Sequence, residues 1–178
     1  MFVMKNLNRA ALVVSLALGA VCAASAEQFE FTYSGDGVND LNSAYGSLTA
    51  TNNMDGTFLA TAGTMVVTAS SNPVMLGSFS LSSSSDFFNI NNLLYYPGTQ
   101  SLDNLGLLFK NNVGAAVNIW GNGAPDNYSF YGNDGSGYNP SNDYHGTFTL
   151  KAVPEPFTVS LAVAGLGLAA RRRRSVKV

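Results

Sequence analysis

The sequence predicts an all-β protein, an antiparallel β-sandwich of jelly-roll-like or Greek-key form, with an N-terminal signal helix and a C-terminal transmembrane helix. Three observations lead there. Apolar and polar residues alternate with a period of two in stretches such as Gln28 to Ser34, QFEFTYS. Short runs of this kind recur about every ten residues, with Gly, Asn, Asp and Pro between them. No stretch of the middle shows a helical period. A closed barrel is the alternative architecture.

Taken in order, the first strand puts Phe29, Phe31 and Tyr33 on one face and Gln28, Glu30 and Thr32 on the other. Further strands are predicted near Ala44–Thr51, Thr57–Thr61, Thr64–Ser70, Val74–Leu81, Gly106–Lys110, Ala115–Trp120 and Tyr128–Tyr131. Tyr144–Leu150 repeats the opening alternation and ends the set. Asn53-Met54-Asp55-Gly56 supplies a hairpin turn, since Asp-Gly readily takes the positive φ such turns need. Pro73, Pro97, Pro125 and Pro140 fall between strands, where a missing N–H does least harm. Ser82 to Ser85 marks a loop, and Asn122 to Asn142 is rich enough in Gly, Asn, Asp and Pro to contain a long one.

Composition narrows the function. Charged residues make up only 11% of 178, against about 25% in ordinary soluble proteins. Their signs are segregated. Between Glu27 and Val153 the chain carries ten acids but only Lys110 and Lys151, a charge near −8. Such a body is repelled by phosphates, which excludes nucleic acid as a partner.

Both ends read as processing segments. Lys5 and Arg9 precede an apolar run from Ala10 to Ala24, and Ala24-Ser25-Ala26 gives a cleavage pattern that leaves Glu27 first. Cys22, the single cysteine, follows Val21 where a lipobox needs a small residue, so lipidation is rejected. The mature chain then has no thiol and no disulfide. At the other end Phe157 to Ala170 is uncharged and Arg171, Arg172, Arg173 and Arg174 follow at once. A helix of that length spans about 21 Å against roughly 30 Å of hydrocarbon, but arginines snorkel and extend a short span. A core helix is the competing reading. Charge orients the segment with the arginines cytoplasmic and the body translocated. The expected organisation is a signal peptide at 1–26, an exported domain at 27–152 and a sorting segment at 153–178.

Val153-Pro154-Glu155-Pro156, Thr158, a Gly/Ala/Leu-rich span and a terminal arginine run resemble the PEP-CTERM sorting signal of Gram-negative bacteria. The resemblance implies an exosortase as partner, with Pro154, Glu155 and Pro156 as the motif it reads. It also implies an inner-membrane precursor that ends at the cell surface or outside, in a bacterium that makes exopolysaccharide. Two prolines one residue apart hold an extended backbone that presents Glu155. The tag also circulates under an ice-binding label, but Thr49-Ala50-Thr51 and Thr147-Phe148-Thr149 are isolated where ice would need a regular array. The body is loosely similar to exported domains paired with this tag, through Leu93-Leu94-Tyr95-Tyr96-Pro97-Gly98 and Leu105-Gly106-Leu107-Leu108-Phe109.

Candidate chemistry is sparse. His145 is the single histidine and alternates outward on its strand, which leaves zinc without ligands and a Ser-His-Asp triad without its elbow. Calcium is the cofactor the oxygen ligands would suit. Asp36, Asn39 and Asp40 are weak candidates, with Asp126, Asn133, Asp134, Asn142 and Asp143 in later loops, and turn chemistry is the competing explanation. No pair of carboxylates stands out for a glycosidase. Trp120 and the tyrosines at 128, 131, 138 and 144 suit sugar stacking or a sandwich core equally. The function expected is a structural or adhesive role in the exopolysaccharide matrix, without catalysis. A carbohydrate-binding module is the alternative and a secreted hydrolase the third.

Overall fold

The structure, a computed structural model, describes residues 26–85, 88–134 and 144–154. It is all-β, as alternation predicts. The strands are β1 (Ala26–Gly35), β2 (Ser43–Asn52), β3 (Thr57–Ala69), β4 (Gly77–Leu81), β5 (Leu93–Tyr95), β6 (Leu107–Lys110), β7 (Ala116–Gly121), β8 (Tyr128–Asn133) and β9 (Tyr144–Val153). Pairing runs β1-β2-β3-β4-β6-β7-β8-β9 and returns from β9 to β1, antiparallel throughout. Eight strands therefore close a barrel, and β5 adds to the first part of β3.

That closure overturns the sandwich. A sandwich keeps two sheets with open edges, whereas here each of the eight strands has a neighbour on both sides. The reason lies in residue size. The inward positions of β2 are Ala44, Gly46, Leu48 and Ala50, mostly small, beside Phe29, Phe31 and Tyr33 of β1. At Gly46 a Cβ would overlap the Thr64 carbonyl oxygen and lie 2.6 Å from the Phe31 ring. Small residues facing large ones let the wall curl, and register shifts between β2 and β3 at Ser43/Ala44 and Thr49/Ala50 bend it further. Alternation alone tells inside from outside, which is the same in a sandwich sheet and a barrel wall.

The expected signal helix and transmembrane helix fall at 1–26 and 153–178, almost wholly outside the described residues. What is described there is strand: Ala26 opens β1 and Val153 ends β9. Among the described residues no helix is long and apolar enough to cross a membrane. On β1 and β2 the outward positions are largely polar and the inward ones apolar, the reverse of the pattern on a lipid-facing strand.

Several strand boundaries also differ. Thr57–Thr61 and Thr64–Ser70 are one strand, β3, because Ala62 and Gly63 stay paired with Thr49 and Leu48. Val74–Leu81 starts late: Pro73–Met75 is a short 3-10 turn capped by the Asn72 side chain, which accepts from the Val74 N–H. Leu93–Tyr95, which none of the predicted strands covers, is β5.

Inside, nine aromatic side chains (Phe29, Phe31, Tyr33, Phe58, Phe79, Phe109, Tyr128, Phe130 and Phe148) fill the barrel. An eight-stranded barrel is just wide enough for such filling. Phe31 stacks on Phe148 with centroids 5.5 Å apart and packs on Phe109 at 5.6 Å. One wall is long (β1, β2, β3, β9) and the other short (β4, β6, β7, β8). The connection around β5 fills the space where the short strands stop. It buries Leu94 and Leu102, sets Tyr96 edge-on to Phe29 at 5.4 Å, and takes the Tyr128 hydroxyl as acceptor for the Ser101 N–H at 2.8 Å.

Gly106 turns that connection into β6. Its φ is +64° and a Cβ there would overlap the Ile119 carbonyl oxygen. Gly106→Ala is expected to cost about 2–4 kcal/mol, from left-handed strain plus the forced shift of β7. Urea unfolding of the full chain measures it, and a loss below about 0.5 kcal/mol would refute the tight approach.

Candidate functional site

The loop between β1 and β2 holds the three residues proposed for calcium. Asp36 Oδ1 accepts from the backbone N–H groups of Val38 (2.9 Å), Asn39 (2.7 Å) and Asp40 (2.9 Å), and its Oδ2 accepts from Asn39 Nδ2 at 3.0 Å. These donors, the Asp40 N–H foremost, hold the Asp36 carboxyl well below the usual carboxylate range. An aspartate so used is turning the chain.

Asp40 faces the other way, into the body, and is fully buried. The Tyr33 hydroxyl donates to its Oδ2, while the Asn42 N–H (2.7 Å) and Nδ2 (2.8 Å) donate to Oδ1. Burial pushes the Asp40 carboxyl up despite these donors, and burial with the neighbouring carboxylate pushes the Tyr33 phenol up. Both Asp40 oxygens are thus engaged in the loop's own bonds. Among the described residues no group of three or more His, Asp, Glu or Cys is placed to hold a metal ion.

A cleft of about 500 Å³ opens beside this loop. It gathers Asp36, Asp126 and His145, three residues read separately along the sequence, with Ser34, Asn127 and Thr147 around them. His145 is exposed, and its carbonyl accepts from the Asp36 N–H at 3.2 Å. Asp126 sits at φ +56° in the β7–β8 turn. With Asp36 spent on its loop, the described residues lining the cleft offer no second uncommitted carboxylate to oppose Asp126.

The aromatics read as sugar platforms divide. Tyr128 and Tyr131 are buried and Trp120 is half-buried. Among the described residues the exposed tyrosine is Tyr45 on β2, at 53%, which sequence reading missed. Its signal was local and visible: it sits at an outward position between Ala44 and Gly46 in an alternating strand.

Tyr45 belongs to the open face of the barrel. The outer face of β6–β8 is covered, since Leu108, Asn118 and Tyr131 are buried there and Phe88 packs edge-on to Tyr131 at 5.4 Å. The outer face of β9, β1, β2, β3 and β4 is not. Register lines up two adjacent rows across it: Lys151, Glu30, Ser47, Thr64 and Ser80, then Thr149, Thr32, Tyr45, Val66 and Ser78. Every member but Val66 is exposed. Hydroxyls link across strands, Thr32 to Thr149 at 2.6 Å and Ser47 to Thr64 at 3.4 Å. A groove of about 370 Å³ crosses these rows at Tyr45.

No family model, curated protein or solved structure matches this chain. The site therefore has to be read from its own residues.

Of the processing residues, Ala26 is exposed and Glu27 half-buried at the start of β1, paired with Thr51 and Ala50. Pro154 is exposed just past the end of β9. Ala24, Glu155, Pro156, Arg171, Arg172, Arg173 and Arg174 lie outside the described residues.

Proposed function

We propose that the chain is an exported protein of a bacterial surface or its exopolysaccharide matrix, with a structural or adhesive role. In this reading an exosortase sorts it through Pro154-Glu155-Pro156 on its way from the inner membrane. The observation that carries the reading is where the barrel stops. β9 ends at Val153 and Pro154, the first residue of the motif, is exposed, so the motif starts at the edge of the packed body.

Three further features support it. The closed barrel holds itself with aromatic packing and cross-strand hydroxyl pairs and uses no disulfide, since the one cysteine is Cys22. The carboxylates that first suggest chemistry, Asp36 and Asp40, serve the β1–β2 loop, which favours a non-enzymatic role. The open face presents rows of hydroxyls suited to a hydrated matrix.

The test is fractionation of cells making the full chain, wild type or Glu155→Ala, with intact mass measured in each fraction. The wild type is expected beyond the inner membrane in a shortened form, and the variant retained and longer. Identical masses and locations would refute the role of the motif. Full-length chain in the cytosol would refute export.

A further inference from the structure

We propose that the groove around Tyr45 is a binding site for a neutral, extended polysaccharide strand lying across β1, β2 and β3. The inference rests on the matrix reading and gives it a ligand class. A pyranose has an apolar C–H face and a rim of hydroxyls, and the groove offers a partner for each. The exposed Tyr45 ring, flanked in register by Thr32 and Val66, takes the C–H face. Glu30, Ser47 and Thr64 line the same groove and take the hydroxyls. Ser47 and Thr64 bond each other only at 3.4 Å, which leaves both hydroxyls capacity for a ligand.

Spacing favours a strand over a single sugar. Neighbouring β-strands lie about 4.8 Å apart, close to the length of one extended sugar unit, so successive sugars meet successive strands. Charge selects a neutral one. Glu30 is paired in register with Lys151, which leaves the row without net charge, while the body near −8 repels an anionic chain. A protein partner would want a desolvated apolar centre, and these rows surround one tyrosine with hydroxyls.

The experiment is calorimetric titration of the full chain with three neutral probes, cellohexaose, laminarihexaose and mannohexaose, and one anionic probe, hexagalacturonate. At least one neutral hexamer is expected to bind and hexagalacturonate to bind less tightly. Tyr45→Ala should weaken that binding at least about tenfold, and Tyr45→Phe should leave it within about threefold, with both variants melting like wild type. Failure of all three neutral probes, a preference for hexagalacturonate, or equal binding by Tyr45→Ala would overturn the proposal. Cell fractionation separates the two readings: a chain that reaches the matrix yet binds no neutral hexamer removes this inference and leaves the matrix role standing.

Discussion

Replacing Phe31 by alanine is expected to destabilise the barrel by about 3–5 kcal/mol, a large part of the 5–15 kcal/mol that holds a domain of this size. Phe31 is 2% exposed and touches both walls through Phe148 and Phe109. The residue beside it on β2 is Gly46, so no flexible side chain from that strand can swing in to fill the space. The cavity persists and the full penalty with it. Urea unfolding of the full chain measures the effect against Thr32→Ala on the outer face of the same strand, which should cost about 1 kcal/mol or less. Equal losses from the two would mean that the aromatic interior is not what stabilises the fold.

The second large effect is expected at Asp40. Asp40→Ala removes the acceptor used by Tyr33, by the Asn42 N–H and by Asn42 Nδ2, and should cost about 3–5 kcal/mol. Asp40→Asn keeps the shape and separates out the charge. The folded-state carboxyl of Asp40 is raised above its unfolded value, so its contribution is fully present below about pH 3.9 and is lost as pH rises through the folded value. The margin of wild type over Asp40→Asn should therefore be widest in acid and narrow toward neutral pH. Asp36 runs the other way. Its carboxyl is lowered, so its contribution is present above about pH 3.9 and lost as pH falls below that. Asp36→Asn should melt below wild type at neutral pH, with the gap narrowing steadily as pH falls from about 4 toward 2. Melting curves of the three chains across pH 2–8 decide the matter. Parallel pH dependence in both variants would refute the assignment of one aspartate to the core and the other to the loop surface.

The same two residues show what could be read in advance. Asp36 and Asp40 stand out in GDGVND, and the sequence places both on a turn after an alternating strand. Nothing local says that one carboxylate will face solvent and the other Tyr33, because that depends on which side of the loop the barrel wall passes. The inward and outward faces of β1 were legible from Phe29, Phe31 and Tyr33 alone. Closure was not, since it depends on Gly46 and its small neighbours meeting those rings across a strand pair. β5 escaped notice because three residues are too few to establish a period, and its pairing partner Thr57–Leu59 lies far upstream. The threonines at 32 and 149 looked unrelated and lie 117 positions apart, yet register makes them hydrogen-bonded neighbours. Tyr45 was passed over for the tyrosines at 128, 131, 138 and 144, of which Tyr128 and Tyr131 are buried. Burial by a covering connection leaves no mark in the strand it covers.

The pairing of β9 with β1 bears on how such a molecule withstands tension. A pull applied beyond Val153 enters along β9, while a ligand gripped at Tyr45 holds β2 and, through it, β1. The load then runs lengthwise along the β1–β9 seam, where the hydrogen bonds of eight registered pairs from Gln28/Val153 to Gly35/Gly146 must yield together and not one by one. A tether hauled from that direction meets the barrel in shear along one of its long seams.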